Sequence, residues 1–204
     1  MKEYAMMSRE EKWTCLEQEI LTPEQIHGMA RDADEDMRLF LAEALCNVHT
    51  SASEQGLLHL MDDPVMQIRA AACDSACWCS TETVLEKLLE KSLRDAWLVR
   101  GYAVLSAADV LLNMDMVQQQ KGLVQLQRID SREKSVWVKL CCAQALYRLG
   151  DEKTLYRLIS GLSLRRYNYR CCAVNLLMDI ASESNRRVIQ APLRSSWKLK
   201  LVKC

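Results

Sequence analysis

Asp63-Pro64-Val65-Met66-Gln67-Ile68-Arg69-Ala70-Ala71-Ala72-Cys73-Asp74-Ser75-Ala76-Cys77-Trp78-Cys79 holds the key to the chain. An apolar residue and a base, Ile68-Arg69, are followed by Cys73, Ala76 and Cys79, at offsets of four, seven and ten from the base. Steps of three and four place these side chains on one face of a helix. The same signature occurs at Met37-Arg38, Val99-Arg100, Val138-Lys139 and Tyr169-Arg170, with 31, 31, 39 and 31 residues between successive bases. At offset four stand Ala42, Cys73, Val104, Ala143 and Val174. At offset seven stand Leu45, Ala76, Ala107, Leu146 and Leu177, and at offset ten Val48, Cys79, Val110, Leu149 and Ile180.

A second apolar helix follows, marked by Leu57-Leu58, Leu88-Leu89 and Leu158-Ile159, with Leu85 and Leu155 one turn earlier. Each unit therefore reads as helix, short turn, helix. Such a unit cannot cover its own apolar face and needs neighbours to stack on it. Composition agrees. Half of the 204 residues are hydrophobic, Gly (6) and Pro (3) are scarce, and aromatics make up only 6%. The residues that lose least on entering a helix dominate.

Outside the units, Ser8 with Glu11 has the form of a capping box opening a helix near residues 9–20. Thr22-Pro23-Glu24-Gln25 opens another near 23–31, with proline at its first position. This pair is expected to cap the first unit. At the other end Pro192 is expected to stop the last helix. The tail Trp197-Lys198-Leu199-Lys200-Leu201 is left as either a cover over the last unit or a short strand. The third unit is eight residues longer than its neighbours, the excess lying between Val110 and about Leu126. A longer loop and longer helices both fit, and either can serve a binding face.

The units resemble HEAT-like repeats of the bilin-lyase type. Asp63-Pro64 with Ile68-Arg69-Ala70-Ala71-Ala72 matches the opening of such a repeat. Val138-Lys139, Ala143, Ala145-Leu146, Leu149-Gly150-Asp151, Leu155 and Leu158-Ile159 match nearly a whole one. The resemblance spans about residues 32–192. Asp32 lacks the following proline, Arg94 and Glu133 replace the leading aspartate, and only the fourth unit keeps Gly-Asp at its turn. It implies an all-α fold, a right-handed α-α superhelix (a HEAT-like solenoid) of about five helix pairs. Residues 1–31 form the N-terminal capping helices, 32–192 the five repeats and 193–204 a basic tail. It also implies that the repeated base pairs with acids or carbonyls between units, which is preferred over a phosphate-binding ladder.

The formal charge is zero but unevenly spread. Residues 1–36 carry ten acids against four bases, and residues 161–204 nine bases against two acids. An acidic cap and a basic tail, both solvated, account for this, and such a gradient also steers charged partners. No apolar stretch approaches a membrane span and Met1–Met7 has no secretory h-region, so the chain is expected to be cytoplasmic with reduced thiols. Of ten cysteines, most sit beside alanine in helical patterns, as packing residues do. Cys46 and Cys77, and Cys141 and Cys172, hold equivalent positions in adjacent units, where stacking would bring the thiols together. Neither cysteine nor histidine (His27, His49, His59) shows metal-ligand spacing, and phosphate loops and nucleophile elbows are absent. No metal or cofactor is expected. Asp32, Asp34, Glu35 and Asp36 precede a helix, whose positive end favours them.

HEAT-like arrays line their concave surface with second helices. One outward column there is Gln55, Glu86, Gln125, Tyr156 and Arg187, and a neighbouring column includes His59 and Glu90. These seven residues are the candidate partner-binding positions, set against an ordinary solvated helix face. The expected function is a non-catalytic scaffold or adaptor, monomeric, holding a protein or peptide ligand. The alternatives are nucleic-acid binding through Arg165, Arg166, Arg170, Arg186, Arg187, Arg194, Lys198 and Lys200, and lyase-like handling of a bilin, which rests on the resemblance alone.

Overall fold

A computed structural model describes the backbone of residues 4–18, 21–182 and 184–201, and side chains as far as Arg194. The described residues are all-α, with no strand among them. The helices are α1 (Arg9–Glu17), α2 (Pro23–Met29), α3 (Glu35–Ala44), α4 (Ser51–Leu60), α5 (Met66–Ser75), α6 (Glu82–Arg94), α7 (Trp97–Leu112), α8 (Met116–Arg132), α9 (Val136–Arg148), α10 (Thr154–Gly161), α11 (Tyr167–Asp179) and α12 (Arg186–Leu201). Short 3-10 turns lie at Tyr4–Met6 and Ala76–Trp78.

Both expected capping boxes are present. The Ser8 and Thr22 hydroxyls accept from the amides of Glu11 and Gln25, whose side chains accept from the cap amides in return. Asp34, Thr50, Thr81 and Asp115 cap α3, α4, α6 and α8 in the simpler way, each taking one amide of the first turn. The turn after α9 needs Gly150, which takes φ +100°. Its amide donates to the Tyr147 carbonyl and that of Asp151 to Leu146, closing the helix end as only an unhindered residue readily allows.

The odd-numbered helices from α1 to α11 pack in succession, each on the next, and the even-numbered helices α2, α4, α6 and α8 do the same in a second row. The offset-four and offset-seven columns are buried without exception, from Ala42 and Leu45 to Val174 and Leu177. Leu57, Leu88 and Leu158 are buried on the second helices. Contact along the first row is broad, whereas α6 meets α4 and α8 only narrowly. Ala103, Ala107, Cys141, Ala143 and Ala145 are small residues buried where α7 and α9 meet, while longer side chains line the space between α6 and α8.

The repeated bases bind these joints together. Arg38 in α3 sends Nη1 back to the Asp32 carbonyl at 2.7 Å and Nε forward to Asp63 Oδ2 at 2.6 Å. Arg69 repeats this with the Asp63 carbonyl at 2.8 Å and Asp95 at 2.7 and 2.9 Å. Arg100 repeats it with the Asp95 carbonyl at 2.9 Å and Glu133 at 3.1 Å through two nitrogens. Before them, Lys12 in α1 reaches Asp32 at 2.8 Å. Each acid also accepts an amide at the start of the next first helix: Asp34 for Asp32, Val65 for Asp63, Ala96 for Asp95, Lys134 and Ser135 for Glu133. Pairing with acids and carbonyls between units is therefore seen at Arg38, Arg69 and Arg100, while Arg170 meets carbonyls only. The sequence register places Arg94 where the leading acid of the third unit is expected. The carboxylate is instead supplied one residue later, by Asp95, which a short linker brings to the same place.

One other expectation is changed, and two alternatives left open are narrowed. Pro192 does not stop the last helix: α12 runs through it to Leu201. Proline removes one amide and kinks a helix, but six residues of helix precede it here, and buried Ile189 and Leu193 anchor the segment on either side. The boundary at residues 192/193 falls inside α12. The backbone of 197–201 is helical rather than extended. The extra residues of the third unit lengthen helices, since α7 and α8 run to 16 and 17 residues with only Asn113, Met114 and Asp115 between them.

Leu158→Ala removes a fully buried side chain and should cost about 2–5 kcal/mol, whereas Gln55→Ala on an exposed face should stay within about 0.5 kcal/mol, both read by urea unfolding. Asp63→Ala leaves the buried Arg38 guanidinium without its counter-ion and should cost about 3–5 kcal/mol in the same measurement. Burial acts to raise the Asp32 pKa, but the Asp34 amide, Lys12 and Tyr4 outweigh it and hold the carboxyl down to about 2. Asp95 and Glu133 are likewise lowered against burial, by Arg69 and the Ala96 amide and by the Ser135 amide and Arg100. Their contribution is complete above the ordinary values of 3.8 and 4.5 and is lost as pH falls towards the depressed folded values. Tm by circular dichroism should stay level with respect to these groups from pH 7 to about 5, then fall towards pH 2, and Asp32→Asn should flatten that acid limb.

Candidate functional site

Helix α6 buries Val84, Leu85, Leu88 and Ser92, which turns Glu86, Leu89, Glu90 and Leu93 towards its outer flank. Helix α8 buries Gly122, Leu126 and Ile129, and a Cβ on Gly122 would strike Leu111 of α7, so glycine sets how closely α8 lies on its partner. Between the two second helices a groove of about 470 Å³ opens. Its floor is Leu89, Leu93 and Ile129. Leu93 is 54% exposed, a large apolar side chain left open to water.

The two walls carry opposite charge. Glu86 and Glu90 stand on α6, Gln125, Arg128 and Arg132 on α8, and Arg94 at the end of α6. No ion pair crosses the groove among the described residues. Glu90 is held weakly by Lys87 at 3.5 Å, and Lys87 itself binds Asp62 at 2.7 Å. Lys91 binds Asp62 at 2.8 Å and Asp95 at 3.4 Å, tying the back of α6 to the preceding turn and to the clamp. The walls are thus positioned from behind while their facing charges stay open.

All seven anticipated residues are exposed on second helices. The structure brings three of them together, Glu86, Glu90 and Gln125. Gln55 lines another hollow, of about 680 Å³, between α2 and α4 with Tyr4, His27 and Arg31. His59 lies one turn further along α4, its pKa lowered by partial burial and by Arg31. Tyr156 on α10 and Arg187 on α12 lie outside both. The outward column missed the floor and the basic wall. Leu89 and Leu93 sit three and seven residues after Glu86, Ile129 four after Gln125, and Arg128 and Arg132 three and seven after it, so the helical period carried the signal.

Several buried thiols are held in the protonated form. Burial pushes Cys73, Cys79 and Cys142 up to about 12, and Cys141 well above the ordinary value. Cys77 is also held at about 12, by burial and by its neighbour Cys46, with which it shares a hydrogen bond. Stacking therefore does bring that pair of equivalent positions together. Among the described residues no three His, Cys, Asp or Glu side chains converge as a metal site would require, and no helix is long and apolar enough to cross a membrane. The chain matches no protein-family model and no curated protein sequence.

Proposed function

We propose that this chain is a HEAT-like α-solenoid acting as a non-catalytic scaffold, which takes an amphipathic helix of a partner protein into the groove between α6 and α8. The reading rests on one observation: an apolar floor between an acidic and a basic wall whose charges are not spent on each other. A helix docked in such a groove lays its apolar stripe on Leu89, Leu93 and Ile129. Its basic flank meets Glu86 and Glu90, and its acidic flank meets Arg128 and Arg132. That arrangement selects one orientation and rejects the reverse, because reversal sets like charges face to face. The two stacked rows of helices support the solenoid reading, since each pair covers the apolar face of the last. A monomer in the cytoplasm, with reduced thiols packed as small apolar residues, fits the same picture.

The groove is tested with a photo-crosslinking residue placed at Gln125, and at exposed Lys153 as control, in extract of the native host. A specific protein adduct is expected from position 125 alone, and Arg128→Glu with Arg132→Glu should abolish it while stability shifts by no more than about 0.5 kcal/mol per substitution. Equal labelling from both positions, or an adduct indifferent to the charge reversal, would remove the groove from the account.

A further inference from the structure

The positions that flank the repeated bases recur along the first row as the bases do. Two residues before the base stand Gln67, Leu98, Trp137 and Asn168, and two after it stand Ala71 and Tyr102. A step of four puts each such pair on one side of its helix. These side chains line two hollows. One, of about 350 Å³, lies across α3, α5 and α7, and the other, of about 850 Å³, across the first turns of α7, α9 and α11. The two adjoin at Leu98 and Tyr102, which line both. One channel thus crosses five first helices in succession.

The ends of the channel carry opposite charge. Glu43 and Asp74 line the α3–α5 end and Arg166 the α11 end, and among the described residues none of the three has an ion-pair partner. Burial and the neighbouring Asp109 raise the Asp74 pKa, as befits a carboxylate with no cation beside it. The cation at the far end follows from a lapse of the clamp. Lys139 replaces arginine in the fourth unit, and Leu164 takes the place of the acid that precedes each earlier base. Arg170 meets only the carbonyls of Leu164 at 2.8 Å and Arg165 at 3.0 Å, and its guanidinium lies 5.6 Å from the centre of the Tyr167 ring, which is thereby occupied. Trp97, in the middle, is 53% exposed and has no ring or hydrogen-bond partner among the described residues. Trp137 is fixed, packing edge-to-face on Tyr102 at 6.0 Å in the space that Gly101 leaves by lacking a Cβ. Gln67 and Asn168, towards opposite ends, are exposed carboxamides that also lack a partner among the described residues.

We propose that this channel binds an extended peptide segment of a partner protein, with a basic residue on Glu43 and Asp74, an apolar residue against Trp97 and Leu98, and a carboxylate on Arg166. An extended segment leaves its amides and carbonyls unpaired, and the carboxamides of Gln67 and Asn168 offer each a donor and an acceptor. Helix axes set about 8–10 Å apart make the path from α3 to α11 about 35 Å long, which an extended chain covers in about ten residues. The opposed end charges give the segment one direction, because the reverse sets like charges together. They also disfavour a nucleic-acid strand, whose phosphates Glu43 and Asp74 repel. The channel lies on first helices and the α6–α8 groove on second helices, so variants at the two places report separately.

The test is selection of displayed random peptides, about twelve residues long to cover that path, on the full chain, followed by fluorescence anisotropy of the enriched sequences as labelled peptides. Enrichment is expected for a lysine or arginine set about eight residues from an aspartate or glutamate, with an apolar residue between them. Glu43→Lys, Arg166→Glu and Trp97→Ala should each weaken binding by about tenfold, with unchanged circular dichroism and Tm. Glu43→Lys should regain affinity for a peptide whose basic residue is replaced by glutamate, which a merely structural effect would not produce. Arg128→Glu with Arg132→Glu should leave binding unchanged. The proposal is overturned if no sequence is enriched, if the enriched sequences lack this charge order, or if Glu43→Lys and Arg166→Glu bind as the parent does. It is equally overturned if Arg128→Glu with Arg132→Glu alone abolishes binding, which would move the peptides to the α6–α8 groove. Competition by a ten-nucleotide thymidine oligomer as strong as that of the unlabelled peptide overturns it too, as does enrichment of sequences matching this chain itself, which would make the occupant a second copy.

Discussion

The stacking of this protein depends on a guanidinium that holds two linkers at once. In each of the first three units the arginine of the first helix faces a carbonyl behind it and a carboxylate ahead of it. Arginine suits this because its planar fork presents several donors in a fixed geometry. The carboxylate is fully used, since it also accepts the amides that start the next first helix. A largely buried ion pair contributes little net stability against well-packed apolar residues, but breaking one half is expensive. Its consequence is local: each of these arginines ties its helix to the linkers before and after it, beside the buried positions at offsets four and seven.

From this packing the two surfaces follow. Alanine and cysteine bring α7 and α9 close together, and the second helices α6 and α8, with longer side chains between them, are left with a groove. The groove between α6 and α8 has a definite chemical polarity because Lys87 and Lys91 spend their charge on Asp62 behind α6, which leaves Glu86 free to face Arg128 and Arg132 across the opening. Architecture and recognition are thus coupled through side chains that do not line the groove.

Where the clamp lapses, the surface changes character. The joint between the fourth and fifth units keeps an incomplete set of contacts around Lys139 and Arg170, and next to it the aromatic residues of three successive first turns gather into one hollow. Arg157 of α10 binds Asp130 of α8 at 2.6 and 2.7 Å, a tie between the third and fourth units that leaves the next joint as it is. Lys139, Arg165 and Arg166, at the positions where the repeated pairing lapses, are exposed to solvent.

The local signals of this chain were legible residue by residue. Ser8, Thr22, Gly150 and the offset columns from Ala42 to Leu177 identify caps, turns and buried faces through forces acting within a few turns of helix, and the sequence by itself determined an all-α chain of paired helices with these residues inside. Pro192 misled, because the cost of one missing amide is local while the anchoring by Ile189 and Leu193 that outweighs it is not. Asp95 was missed for a related reason: a clamp is satisfied by a position in space, and a one-residue shift in a linker leaves that position unchanged. Which outward residues share a groove was beyond the sequence too. Glu86 and Gln125 lie 39 residues apart, and their meeting with Arg128 across an apolar floor depends on how closely two helices approach. That distance is decided only in the tertiary structure, by the size of the side chains packed beneath them.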